Sequence, residues 1–95
     1  MSAYLIVDIE VTDPEAYEKY RSQVPPLVEK HGGKYLVRGG PFEILEGEWT
    51  LNRLVVLEFP TVTAAKGFYD SEEYRPPKEI RINATKSNLV LVEGT

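Results

Sequence analysis

The ten residues His31-Gly-Gly-Lys-Tyr-Leu-Val-Arg-Gly-Gly40 constrain the fold more than any other stretch, because a glycine pair stands on each side of a short apolar run. Gly32-Gly33 stops a helix, since glycine enters the left-handed conformation that closes helices at no steric cost. Tyr35 to Val37 then starts a strand, and Gly39-Gly40 lets that strand bend or approach another backbone closely. The stretch is a helix-to-strand junction. It also carries the one histidine of the chain and, in Arg38, a charge inside the strand.

The residues around this junction repeat its logic. Tyr4 to Val11 alternates, with Leu5, Val7, Ile9 and Val11 on one side and Tyr4, Ile6, Asp8 and Glu10 on the other, which predicts a strand between two environments. Asp13 stands where an N-cap belongs and Pro14 at the first helical position, where its missing N–H costs nothing. Tyr17, Tyr20, Val24, Leu27, Val28 and His31 then share one helical face. Pro25-Pro26 lacks two amide donors, so a kink or restart is expected there. Lys34 to Arg38 is the second strand, continuing through Pro41 to Glu46 after a bend, and Arg53 to Phe59 is the third. Thr61 or Thr63 caps a second helix to Tyr69. Ser71 restarts a helix near Tyr74 that runs past Pro76-Pro77 to about Ala84, and Leu89 to Glu93 is the last strand.

This order, βαββαβ, makes two βαβ halves. Right-handed crossovers fold them into a ferredoxin-like α+β domain spanning residues 1–95, a four-stranded antiparallel sheet of order 4-1-3-2 with its helices on one face. If Leu5, Val7 and Ile9 face the helices, simple alternation puts Tyr4, Ile6, Asp8, Leu36, Arg38, Leu54, Val56, Glu58, Leu89, Leu91 and Glu93 on the other face. Such a half-aliphatic surface marks an interaction site, and a second copy packed sheet against sheet is the simplest cover.

Composition excludes several function classes. Absence of cysteine leaves no thiolate nucleophile or Cys-ligated metal, and one histidine makes no His cluster, so neither metal nor cofactor is expected. A net charge of -4 with no run of Lys or Arg argues against nucleic acid. Asp8 and Glu10 interrupt the N-terminal apolar run, so neither a signal segment nor a membrane partner is expected, and a cytoplasmic location follows as the default.

Several blocks together resemble a known family. Val11-Thr-Asp-Pro-Glu-Ala-Tyr17, the His31 to Gly40 stretch, Leu45-Glu-Gly-Glu-Trp49, Arg53-Leu-Val-Val-Leu-Glu-Phe-Pro60 and Phe68-Tyr-Asp-Ser-Glu-Glu-Tyr74 are similar to the bacterial domain of unknown function 1330, in order along essentially the whole chain. The resemblance implies a homodimer in which two ferredoxin-like sheets form one α+β barrel, a superfamily that includes small monooxygenases and muconolactone isomerases. It implies no particular reaction.

Three residues are candidates for holding a ligand. Arg38, between apolar neighbours and beside glycines, suits a carboxylate or enolate, or else pairs with Glu58 or Asp8. Trp49, in a loop near Arg53, suits stacking over a pocket or anchoring of an interface, with Arg53 as a cation partner. Three more are candidates for proton transfer. An imidazole can serve as a general base, so His31 suits that role but equally suits the negative end of its helix, and Asp8 with Glu58 forms an acid/base pair only if the fold brings them together. Tyr17, Tyr20, Phe68, Tyr69 and Tyr74 fit core packing by their spacing. Two function classes follow: a dimer binding a small anionic or enolisable molecule, as a binding protein or a cofactor-independent enzyme, and a non-catalytic dimeric interaction module.

Overall fold

The computed structural model describes residues Met1–Thr95, arranged as β1 (Ala3–Val11), α1 (Pro14–Lys30), β2 (Lys34–Arg38), β3 (Leu54–Phe59), α2 (Val62–Tyr69), α3 (Arg75–Ala84) and β4 (Thr85–Glu93). The strands form one antiparallel sheet of order β2-β3-β1-β4, the expected ferredoxin-like arrangement. Capping follows the residue chemistry. Asp13 Oδ1 accepts from the Ala16 amide at 3.2 Å and Thr61 Oγ1 from Ala64 at 3.0 Å, while Ser71 Oγ accepts from the Tyr74 amide at 3.2 Å in the turn that leads into α3.

The glycine junction closes α1 in two bonds. The Gly33 amide reaches the Val28 carbonyl at 2.8 Å and the Gly32 amide reaches Glu29 at 3.0 Å, with Gly32 at φ +80°, which is a Schellman ending. Gly33 also has to be small, because a Cβ there would stand 2.5 Å from the Phe59 ring. No restart occurs at Pro25-Pro26, as α1 is one helix from Pro14 to Lys30 with both prolines inside. Tertiary packing of Val24, buried just before the pair, and Val28, buried just after it, holds the segment helical despite the lost donors.

One face of the sheet meets the helices through Ala3, Leu5, Val7, Ile9, Val55, Leu57 and Phe59, packed on Tyr17, Val24, Val28, Ala65, Phe68 and Tyr74. Aromatic contact organises this core. Phe68 lies 5.4 Å from Phe59 and 4.4 Å from Tyr74, centre to centre, and 6.0 Å from His31.

Three expectations need correction. Pro41 to Glu46 is irregular chain rather than a continuation of β2, and the link from β2 to β3 is one exposed loop. Leu89, Leu91 and Glu93 lie on the helix side, because β4 begins directly after α3 at Thr85 and pairs Leu89 with Val7 and Leu91 with Leu5. Val90 and Val92 take the outer face instead. Four consecutive apolar residues, Leu89 to Val92, offer alternation no contrast by which to choose a side.

The third correction moves Arg38. Tyr35 pairs with Leu57 and Val37 with Val56, so β2 advances two residues for one of β3 and contains a β-bulge at Leu36. Beyond the bulge the alternation inverts. Arg38 pairs with Val55, a residue of the inner face, and its side chain therefore turns toward the helices rather than the outer surface.

Candidate functional site: a helix-covered cleft

The inverted Arg38 opens onto a cleft between α1 and the inner face of the sheet. Leu5, Val7, Ile9, Val55 and Leu57 form its floor, and Tyr17, Tyr20, Phe68 and Tyr74 form its walls, with Arg21, Arg38 and Arg53 among the lining residues. The cleft extends over about 490 Å³ when counted out to open solvent, but its enclosed part is only about 30 Å³. That enclosed space suits one or two waters.

Each arginine is placed by a specific contact. Arg38 Nη2 donates to the Arg21 carbonyl at 3.1 Å, and its guanidinium lies 4.7 Å from the centre of the Tyr35 ring. Arg53 Nε donates to the Tyr17 hydroxyl at 3.1 Å. Neither has a carboxylate within 4.0 Å; the ion pairs of the chain are Arg21–Glu18, Lys30–Glu73, Lys34–Glu58 and Arg75–Glu72. In a chain of net charge -4, two unpaired guanidinium groups on an apolar cleft are a local reversal of sign.

Gly39 shapes this arrangement. It has φ +73°, its amide donates to the Leu54 carbonyl at 2.8 Å, and a Cβ on it would stand 2.2 Å from Arg53 Nη1. The second glycine pair therefore approaches both the β3 backbone, at Leu54, and the guanidinium of Arg53. Gly39→Ala is expected to cost about 1–2 kcal/mol through left-handed strain alone and to push Arg53 off Tyr17. Thermal denaturation checks the first effect and a crystal structure the second; an unmoved Arg53 in the variant contradicts this role.

Sequence reasoning passed over the tyrosine hydroxyls. The Tyr20 and Tyr74 hydroxyls lie 2.9 Å apart at the cleft wall. Burial pushes the Tyr20 and Tyr35 phenols above their ordinary values, so both stay protonated at neutral pH. The available signal was the spacing of Tyr17 and Tyr20 on one helical face near two arginines, which reads equally well as core.

The other candidates stand elsewhere. Asp8 and Glu58 are on the outer face and far apart, since Asp8 pairs with Leu54 whereas Glu58 pairs with Tyr4, an offset of four residues along β1 or about 13 Å. They form no acid/base pair, and neither is the partner of Arg38. Asp8 Oδ1 accepts from the Asn52 amide at 2.8 Å and fixes the loop end. Glu58 accepts from Tyr4 at 3.2 Å and pairs with Lys34 at 3.3 Å, and the Lys34 contact holds its carboxyl below the usual range. His31 caps α1 beside Phe68, outside the cleft, with Nε2 buried and unpartnered. Trp49 is largely exposed and lines a shallow outer groove with Ile6, Asp8 and Val90, on the opposite face from Arg53. No group of three or more His, Cys, Asp or Glu residues is placed to hold a metal ion, and no helix is long and apolar enough to cross a membrane.

Known structures share this architecture. A protein of unknown function from Rhodopseudomonas palustris superposes with a TM-score of 0.79 at 20% identity, covering 99% of this chain and 82% of its own. A dimeric ferredoxin-like protein of unknown function from Jannaschia sp. gives 0.74 at 12% identity, covering 99% and 100%. SnoaB, a cofactor-independent oxygenase from Streptomyces nogalater, gives 0.68 at 11% identity, covering 99% and 93%. No curated protein matches the sequence. At these identities the likeness concerns the fold. The sequence itself goes further, because residues 2–95 match the model of one family along their whole length: the chain belongs to the family described as domain of unknown function DUF1330.

Proposed function

We propose that this protein is a homodimer that binds a small anionic or enolisable organic molecule in the cleft under α1, with Arg38 and Arg53 holding its negative oxygen. The observation that carries the reading is the pair of guanidinium groups without carboxylate partners on an apolar, aromatic-walled cleft. Such a site rewards a planar body with one charged edge, because apolar walls take the body and the forked donors take the charge. The fold likeness to a cofactor-independent oxygenase supports a reading in which the protein's own side chains, without a cofactor, act on the bound molecule.

The dimer rests on the outer face. Leu36, Val37, Val90 and Val92 are exposed there, Ile6, Leu54 and Val56 are half-buried beside them, and Trp49 stands at the edge. The dimeric state of the Jannaschia protein supports a second copy as the cover. Trp49 then belongs to the interface rather than to the ligand. If the same face serves a non-catalytic interaction module, the cleft arginines have no ligand to hold and their removal changes only stability.

The test is a thermal-shift series with 4-nitrophenolate and small carboxylates on wild type, Arg38→Ala and Arg53→Ala. Wild type is expected to gain stability with ligand concentration, as any ligand of the native state confers. Each variant is expected to lose roughly tenfold or more in affinity, as charge-assisted hydrogen bonds do when removed. Equal shifts in all three proteins, or none in wild type, would overturn the reading.

A further inference from the structure

A second cleft lies at the junction of α3 with β4, apart from the one under α1. Arg81, Thr85, Ser87 and Asn88 line it, with Lys86 at its rim and Tyr69 on its wall. It is open, extending over about 940 Å³ when counted out to solvent, and it shares Leu89 alone with the first cleft. None of its lining residues is acidic.

The residue that gives this cleft its character is Arg81, in the last turn of α3. It is only 4% exposed, and no carboxylate lies within 4.0 Å of it. Its Nη1 donates to Ser87 Oγ at 2.7 Å, and its Nε is buried without a partner. A buried guanidinium, with five N–H donors and a permanent charge, needs more acceptors than one hydroxyl supplies. The end of α3 does not supply them. The Arg81 carbonyl accepts from Thr85 Oγ1 at 2.6 Å, and the Ala84 carbonyl takes the Thr12 and Asp13 amides at 2.8 and 3.0 Å. Basic side chains near a helix C-terminus commonly bond its last carbonyls, but this one turns to Ser87 instead. A hydroxyl that accepts from a guanidinium keeps its own proton to donate, so Ser87 is a further donor. Lys86 adds a second cation, and Glu10, opposite it on β1, forms no ion pair with it.

We infer that this cleft is a second ligand site, which takes a doubly charged oxyanion of the phosphate type on Arg81, Ser87 and Lys86. Two cations without a carboxylate match a dianion better than a single carboxylate. The guanidinium fork, the ammonium and the hydroxyl supply donors for several of its oxygens at once. Tyr69, Ile82 and Leu89 give the cleft an apolar flank, against which the organic part of a phosphate monoester can rest. The site uses neither Arg38 nor Arg53, so it stands whether or not the cleft under α1 binds an anion.

The test is equilibrium binding of inorganic phosphate and phenyl phosphate at fixed ionic strength and about pH 8, where both are mainly dianions. Wild type is expected to bind both. Ser87→Ala and Lys86→Ala, at positions outside the core, are each expected to weaken phosphate roughly three- to tenfold. Arg81→Lys, which keeps the charge but loses the fork, is expected to weaken it roughly tenfold or more. Phenyl phosphate binding more tightly than the free ion identifies an organic monoester as the ligand class, and equal affinities identify phosphate itself; both uphold the site. Acetate binding as tightly as phosphate overturns the dianion assignment. Loss of phosphate binding in Arg38→Ala, with Ser87→Ala unaffected, puts the ion under α1 and overturns the second site. Should Arg81→Lys not fold, the other two variants decide. Unchanged phosphate affinity in both, or no binding to wild type, overturns the inference.

Discussion

Phe68→Ala is expected to destabilise the protein by about 3–5 kcal/mol, the range for truncating a buried phenylalanine. Phe68 is 1% exposed and stacks on Phe59 and Tyr74 with His31 at its edge, so no single neighbour can move in to refill the space. Small domains have total stabilities of about 5–15 kcal/mol. The loss therefore consumes much of the margin and lowers the melting temperature by roughly 12 °C or more. Chemical denaturation with a shared slope is the measurement, and a loss below about 1.5 kcal/mol would show that the aromatic stack repacks. The substitution has a second consequence, because Phe68 also lines the cleft. Its removal enlarges the enclosed space of about 30 Å³, so a ring-sized ligand should recover part of the lost stability in the variant. In this molecule the core and the site share a wall.

That shared wall explains which features were legible in the sequence. Caps, turns and helix stops are local chemistry, and Asp13, Thr61, Ser71 and Gly32 perform the roles their residue types suggest. Strand order follows from chirality and connection length, which any βαββαβ pattern carries. The face assigned to Arg38 required more. Alternation presumes an unbroken register, and the bulge at Leu36 adds a residue whose presence depends on how β2 seats against β3, a tertiary choice that nothing in Tyr-Leu-Val-Arg announces. Leu89 and Leu91 were hidden by the opposite difficulty, since both faces of β4 are apolar there and only the ladder with β1 selects one. The candidate site was accordingly half visible. Arg38 stood out as a charge beside glycines, but on the wrong face, and Arg53 only as a cation beside Trp49; neither came with the tyrosines that line the cleft with them. Asp8 and Glu58 were separated by register, which spacing along the chain does not encode.

Ile6→Asp is expected to dissociate the proposed dimer while leaving each subunit folded. Ile6 is the central position of the outer face, paired with Val56 on one side and Val90 on the other, and it makes no part of the helix-side core. An aspartate there is too short to carry its charge to the rim, unlike a lysine, whose long stem lets the ammonium reach water. In a subunit alone it faces solvent and costs only its poor strand propensity, about 1 kcal/mol or less. Between two sheets about 10 Å apart it is an unpaired ion in an apolar layer, which costs several kcal/mol. A two-fold axis doubles the effect, because each interface contains the substitution twice and brings two like charges near one another. Association should therefore weaken by at least ~100-fold. Sedimentation at micromolar concentration reads the change, with Ile82→Asp, on an exposed position of α3, as the control that leaves assembly unaltered. An unchanged dimer in Ile6→Asp would place the interface elsewhere, and a monomeric wild type would remove it. Because the cleft opens on the other side of the sheet, the dissociated variant should still bind 4-nitrophenolate. Loss of binding together with dissociation would show instead that the partner subunit completes the site.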